Sequence, residues 1–382
     1  MMLSNKLRSR SAFLLLLVFS LSVLLAACGR KAAETPDTRV PVPEGVTEPY
    51  ATTTETPASD AVRTGRLRIL TTIRPAYDFT SKIAGDAADV SVIIPPGAAV
   101  HGWEPGPRDM VALNDADILI SIGAGMDSWS ETLAATRGEE LIQLELARLV
   151  TLLPSDGGHE HEHEHEHEHE HEHEHDESDE HEHEHEHEEG DEHEGHEHDE
   201  HAGHSHGAYD PHIWLDPLRA AEMARGIAEL LSQADPSGRN GYESRAAELV
   251  ERLEKLDADY RRALEPYAGR AIMPSHAAFG YLCQAYGLRQ IGLEGVFSEN
   301  EPSPARMAEL VRLAAEEDIT AIYMEPLESP RSAEALATEI GGRTLVLDPY
   351  GGITTDQETN GEDYFTVMER NLEALLAGFS GE

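Results

Sequence analysis

From Leu67 onward, short apolar runs alternate with amphipathic stretches, and that alternation sets the expected fold class. Leu67 to Thr72 reads as a strand, Pro75 to Ile83 as a helix, and Val90 to Ile94 as a second strand stopped by Pro95-Pro96-Gly97. A helix over Pro107 to Asn114 and a strand over Ala116 to Ile120 follow. Strands that alternate with helices build βαβ units and a parallel sheet, so the class is α/β. The plan then repeats. Ala271-Ile272-Met273 opens a second half, with a helix over Pro304 to Glu317, strands over Ile319 to Tyr323 and Thr344 to Leu347, and a last helix from Glu362 to Leu376. Glu104-Pro105-Gly106-Pro107 and Glu301-Pro302-Ser303-Pro304 each precede a helix and then a strand, a short match that supports duplication.

Between the halves, Asp235-Pro236 has the form of an N-cap followed by proline at the first helical position. Leu249, Leu253, Leu256, Tyr260 and Leu264 recur at spacings of three and four until Pro266. A helix of about 30 residues would measure about 45 Å, long enough to join two lobes. The competing pattern is two shorter helices broken near Gly241.

The chain before Leu67 has a different character. Lys6, Arg8 and Arg10 precede an apolar stretch from Ala12 to Ala27, the two parts of a secretory signal, and the stretch is short for a membrane span. It ends in Leu25-Ala26-Ala27-Cys28-Gly29, which resembles the lipobox of bacterial lipoproteins. Lipidation of Cys28 would hold the protein at the membrane at about 0.8 kcal/mol per buried methylene. It would also leave Cys283 as the only thiol and exclude an intrachain disulfide. The Thr-, Pro- and Glu-rich stretch that follows reads as a tether. The expected organisation is a signal over 1–27, Cys28 and tether over 28–65, an N-terminal lobe over 66–235, a linking helix over 236–266 and a C-terminal lobe over 267–382.

Charge changes the picture at one place. The 382 residues carry 73 acidic and 29 basic side chains, a formal charge of -44 that argues against a nucleic-acid partner. Of the acidic residues, 23 lie between His159 and His206, together with 19 of the 22 histidines and no Lys or Arg. The histidines of this tract are His159, His161, His163, His165, His167, His169, His171, His173, His175, His181, His183, His185, His187, His193, His196, His198, His201, His204 and His206. Its period-two alternation has no apolar face, so it reads either as a solvated spacer or as a metal-collecting loop inserted in the first lobe.

Setting the tract aside leaves His101, His212 and His276. Each stands at a strand end or in a loop, where parallel sheets gather ligands beyond the carboxyl ends of their strands. Asp348, in Leu347-Asp348-Pro349, occupies another strand end. Three neutral imidazoles and a carboxylate make a tetrahedral set suited to Zn²⁺ at about 2.0–2.2 Å per bond.

These segments carry a resemblance. Pro95-Pro96-Gly97 before His101 with Glu104-Pro105 after it, Asp210 to Pro217 around His212, Ser275-His276 with Phe279-Gly280-Tyr281, and Leu347-Asp348-Pro349 resemble the ligand-bearing segments of the metal-binding lipoproteins of ABC importers, in the zinc-type branch. The resemblance covers about Arg66 to Gly378. It implies two (β/α)4 lobes with four-stranded parallel sheets, a single long linking helix, and Zn²⁺ held in the cleft by His101, His212, His276 and Asp348. It further implies a non-enzymatic role: a monomer, lipid-anchored outside the cytoplasm, that hands its ion to a membrane permease. A histidine rather than glutamate at the third ligand position favours zinc over manganese. Val100 stands where the family often has proline. Ala277 stands where an aspartate is common, which leaves His276 to be oriented by a backbone carbonyl or water.

In the same light, the His/Glu tract resembles the family's His-rich loops and is expected to collect zinc at several weak sites beside one tight site. The other readings are manganese or iron as cargo, a surface metalloenzyme that uses three histidines and a water, and an adhesin that uses zinc structurally.

Overall fold

Two parallel four-stranded sheets with the same strand order face a shared layer of helices. The structure, a computed structural model, describes residues 65–155, 207–297 and 301–381. The expected signal, Cys28, nearly all of the tether and the whole His159–His206 tract lie outside the described residues.

The first sheet contains β1 (Leu67–Thr71), β2 (Ala88–Val92), β3 (Ile118–Ser121) and β4 (Ile142–Glu145), in the order β2-β1-β3-β4. Helices α1 (Arg74–Ala84), α2 (Pro107–Asp115) and α3 (Trp129–Ala135) connect them. The second sheet repeats this order as β6-β5-β7-β8, from β5 (Ala271–Pro274), β6 (Arg289–Gln290), β7 (Ala321–Met324) and β8 (Arg343–Val346), connected by α6 (Gly280–Tyr286), α7 (Pro304–Glu316) and α8 (Arg331–Glu339). All pairings are parallel. The Glu-Pro-x-Pro pair therefore has a structural meaning. Each copy starts the helix between the second and third strand of its lobe, and Asp109 and Ser303 accept from Gly106 N and Arg306 N at those starts.

Helices α4 (Pro217–Ala234) and α5 (Arg239–Leu264) lie between the sheet-bearing segments in the chain. Gly241 does not break α5, which at 26 residues is about 39 Å long. Asp235-Pro236 is not its first turn. Asp235 accepts from Ser237 N and Oγ and from Tyr242 Oη, shaping a tight turn that turns α4 back along α5. Leu249, Leu253, Leu256, Tyr260 and Leu264 are all buried, as their spacing predicts. Truncating fully buried Leu253 to alanine would cost about 2–5 kcal/mol.

One apolar core runs from β1 and β3 through α1, α4 and α5 into α6 and α10 (Tyr364–Ser380), while a smaller core lies on the far face of each sheet. The lobes are also stitched by the segment after β8. Pro349 O accepts from Trp214 Nε1 at 2.7 Å, Ile353 O from Gly97 N at 2.7 Å, and Gly351 O from Arg74 N at 3.2 Å. Beyond α9 (Thr355–Thr359), Tyr364 donates to Trp214 O at 2.6 Å through its hydroxyl and to Asp78 through its backbone N–H. No helix among the described residues is long and apolar enough to cross a membrane.

Candidate metal centre

In each sheet the strand order reverses between the first and third strands, and the crevice beyond those strand ends is the natural ligand site. His101 lies on the β2–α2 loop, His276 two residues after β5, and Asp348 two residues after β8. His212 reaches the same place from the segment before α4. There a short turn over Ile213–Leu215 leads to Asp216, whose carboxylate caps α4 at Leu218 N.

The three imidazoles form a nearly equilateral triangle, with ring centroids 5.2, 5.3 and 5.5 Å apart. Their ligand atoms lie within 4.8 Å of one another, and His276 Nε2 stands 3.4 Å from His212 Nε2. His212 and His276 are each 1% exposed, whereas His101 is half-buried. The cavity they share with Glu325, Glu328 and Asp348 has a volume of about 30 Å³, room for one ion or one water.

Asp348 lines this cavity but stands outside the close group of ring nitrogens. Its Oδ1 accepts from Tyr350 N at 2.8 Å and its Oδ2 from Gln357 Nε2 at 2.7 Å, while Asn371 bonds both its backbone N–H and its carbonyl. The turn is tight enough to hold Tyr350 at φ +57°, a left-handed conformation.

Two carboxylates escaped the sequence reading. Asp210 Oδ1 accepts from His212 N at 2.9 Å and faces His212 Nδ1 at 2.9 Å. Glu325, the first residue after β7, faces His276 Nδ1 and accepts from Ser275 Oγ at 2.7 Å. His276 is thus oriented by a carboxylate from the neighbouring strand, not by a backbone carbonyl or water as the alanine at 277 suggested. Asp210 had a signal, since it stands two residues before a candidate ligand. Glu325 had one only in its place at the end of a predicted strand.

Burial pushes the His101 imidazole down to about 2, and the adjacent His212 and His276 reinforce the shift. Burial lowers His212 too, against the pull of Asp210. In His276 burial acts in the same sense, but Glu325 outweighs it and the ring is raised above its ordinary value. Burial also raises Asp348, opposed by its bonds from Gln357 and Tyr350.

The two described ends of the His/Glu insertion meet beside this cavity. Ser155 donates to Gly207 O through its hydroxyl at 2.8 Å and to Ala208 O through its backbone at 3.1 Å. Gly207 packs so closely on Ala124 and Phe297 that a Cβ there would stand 2.6 Å from Ala124 O and 3.0 Å from the Phe297 ring. The Phe297 ring in turn lies edge-on to His101, 6.3 Å between centroids.

Known proteins share this architecture. The family described as zinc-uptake complex component A, periplasmic, matches residues 69–378. A zinc-binding protein AdcA of Streptococcus pyogenes serotype M3 is 34% identical over 320 residues, covering 84% of this chain. This chain spans only 57% of that relative's length. The high-affinity zinc uptake system protein ZnuA of Bacillus subtilis is 31% identical over 81% of this chain and 86% of its own length. Among solved structures, the Zn(II)-bound ZnuA-like domain of Streptococcus pneumoniae AdcA has a TM-score of 0.63 and 30% identity, over 82% of this chain and 99% of that one. With a fold of two like α/β lobes and a match that runs through both of them, the chain belongs to the periplasmic zinc-uptake component A family.

Proposed function

We propose that this protein is the extracytoplasmic solute-binding component of an ABC importer, and that it binds Zn²⁺ between its lobes and delivers it to a permease in the cytoplasmic membrane. The observation that carries this reading is the 3.4 Å separation of His212 Nε2 and His276 Nε2. Two nitrogens of a tetrahedral zinc with bonds of about 2.0–2.1 Å stand about 3.3–3.4 Å apart. His101, His212 and His276 supply the imidazoles. Asp348 is the proposed fourth ligand, since a carboxylate has about four lone-pair sites and only two of them are engaged here. The names of the relatives, zinc-binding and zinc-uptake proteins, support the same cargo. A cavity of about 30 Å³ suits an ion and not an organic substrate, so the site is read as holding cargo rather than catalysing a reaction.

In this reading the protein acts as a monomer, anchored through lipid on Cys28. The His/Glu tract gathers zinc at weak sites and passes it inward, supported by the position of its base beside His101. Calorimetry with Zn²⁺ tests the central claim. The wild type is expected to show one tight site that His212→Ala removes; an unchanged tight isotherm in that variant would overturn the assignment. Competition by Mn²⁺ at controlled free concentration tests the choice of cargo, with zinc expected to displace it.

A further inference from the structure

Two of the three imidazoles turn the same atom away from the cavity. His212 and His276 each present Nδ1 to a buried carboxylate, Asp210 and Glu325, which are 3% and 8% exposed. An ionised carboxylate only accepts hydrogen bonds, so Nδ1 must carry a proton and Nε2 is the nitrogen left to offer its lone pair to an ion in the cavity. Both carboxylates are themselves fixed. Asp210 accepts from His212 N, its backbone N–H donates to Leu153 O, and its carbonyl accepts from Tyr281 Oη at 2.7 Å. Glu325 accepts from Ser275 Oγ, on the residue that immediately precedes His276 in the chain. The two carboxylates come from separate places, one from the segment before α4 and one from the end of β7, yet they perform the same task on the two most buried ligands.

We propose that Asp210 and Glu325 are positioning residues for the metal: each fixes the tautomer and ring direction of one histidine, and their negative charges join that of Asp348 in offsetting a divalent ion held by three neutral imidazoles. This rests on the three-histidine zinc reading above. Three neutral rings and the single charge of Asp348 would leave a buried dication only partly compensated, which is costly in a site this enclosed. Asp210 and Glu325 supply the compensation without occupying coordination positions. Partners of this kind commonly set metal affinity by roughly 10–100-fold.

The test is the zinc affinity of Glu325→Gln and Asp210→Asn, measured by chelator competition on the full chain, together with the visible absorption of the Co²⁺-loaded proteins. Each variant keeps an acceptor atom near Nδ1 and loses the charge. A loss of roughly 10–100-fold with a changed Co²⁺ spectrum is expected. Because Glu325 is argued to act through His276, Glu325→Gln should have no effect in a His276→Ala background, which a purely structural role would not predict. Affinity within twofold of wild type, or an equal loss in both backgrounds, would overturn the proposal. Should Glu325→Gln fail to fold, Ser275→Ala frees the same carboxylate and is expected to cost a few-fold in affinity; no change there would also overturn it. Failure of the wild type to bind zinc tightly would instead remove the functional reading beneath it.

Discussion

Asp210 Oδ2 lies 2.6 Å from the point that a Cβ on residue 280 would occupy, and only the absence of a side chain at Gly280 lets that carboxylate approach the start of α6. Gln290 Nε2 stands 3.2 Å from the same point. Gly280→Ala therefore has to push Asp210 away from His212 or shift α6. It is expected to destabilise the fold by about 1–3 kcal/mol, the usual cost of overpacking. It should also weaken zinc binding, although residue 280 is not a ligand. Urea midpoints and chelator competition on the same samples would check both effects. Unchanged zinc affinity with a lowered urea midpoint would mean that α6 shifts instead and Asp210 keeps its place beside His212.

The contrast between the histidines and their partners explains what the chain reveals unaided. His101, His212 and His276 stand out because every other histidine is confined to one tract, and because strand-end positions are readable from local pattern. Asp210 and Glu325 are two acidic residues among 73, and their only local marks are a place two residues before a candidate ligand and a place at a strand end. Glu325 meets His276 only because β7 lies beside β5 in the sheet, a neighbourhood set by strand order rather than by sequence distance. The same limit applies to the short strands. β6 is two polar residues, Arg289 and Gln290, and β4 mixes Gln143 and Glu145 with its apolar positions, so neither carries an apolar run. Asp235-Pro236 matched a helix start locally, but the Asp235 carboxylate is claimed by Ser237 and Tyr242, and the helix begins at Arg239.

Asp348 and Gln357 separate ligation from scaffolding. If the Asp348 carboxylate binds the ion, Asp348→Asn should weaken zinc by about tenfold or more while the turn, held by Asn371, persists. Gln357→Ala removes the amide on Oδ2 but leaves the carboxylate itself, and should leave affinity near the wild-type value. It should still lower stability by about 1 kcal/mol, because Gln357 also bonds Thr354 N at the start of α9. Equal losses in the two variants would show that Asp348 orders the turn and that another group completes the coordination.

The His/Glu insertion can be removed at its base. Ser155 and Gly207 are already hydrogen-bonded to one another, so after deletion of residues 159–206 only Asp156, Gly157 and Gly158 have to span two adjacent points. The deletion is expected to lower total zinc stoichiometry while one tight site remains, and to leave thermal stability unchanged. Metal analysis after dialysis against graded zinc buffers would separate the weak class from the tight one. Loss of the tight site as well would place tract residues inside it.

Zinc binding should displace a proton, and the direction of each shift says from where. His101, pushed down to about 2, and His212, also lowered, are neutral at pH 7 and have no proton to give there. His276 is raised above its ordinary value because Glu325 outweighs the effect of burial, so of the three rings it is the one that holds a proton to the highest pH when no metal is bound. Its Nε2 faces His212 Nε2 at 3.4 Å, and metal and proton therefore compete for the same lone pair. Above the raised pKa no proton has to leave and affinity should be flat with pH. Below it the competing proton should cost about tenfold in apparent affinity per pH unit. Calorimetry of the tract-deleted protein in buffers of different ionisation enthalpy should return a proton release that rises towards one per zinc as pH falls below the raised pKa. In Glu325→Gln, where the charge that holds this proton is gone, the released fraction should fall, and affinity should lose its pH dependence at lower pH than in the parent.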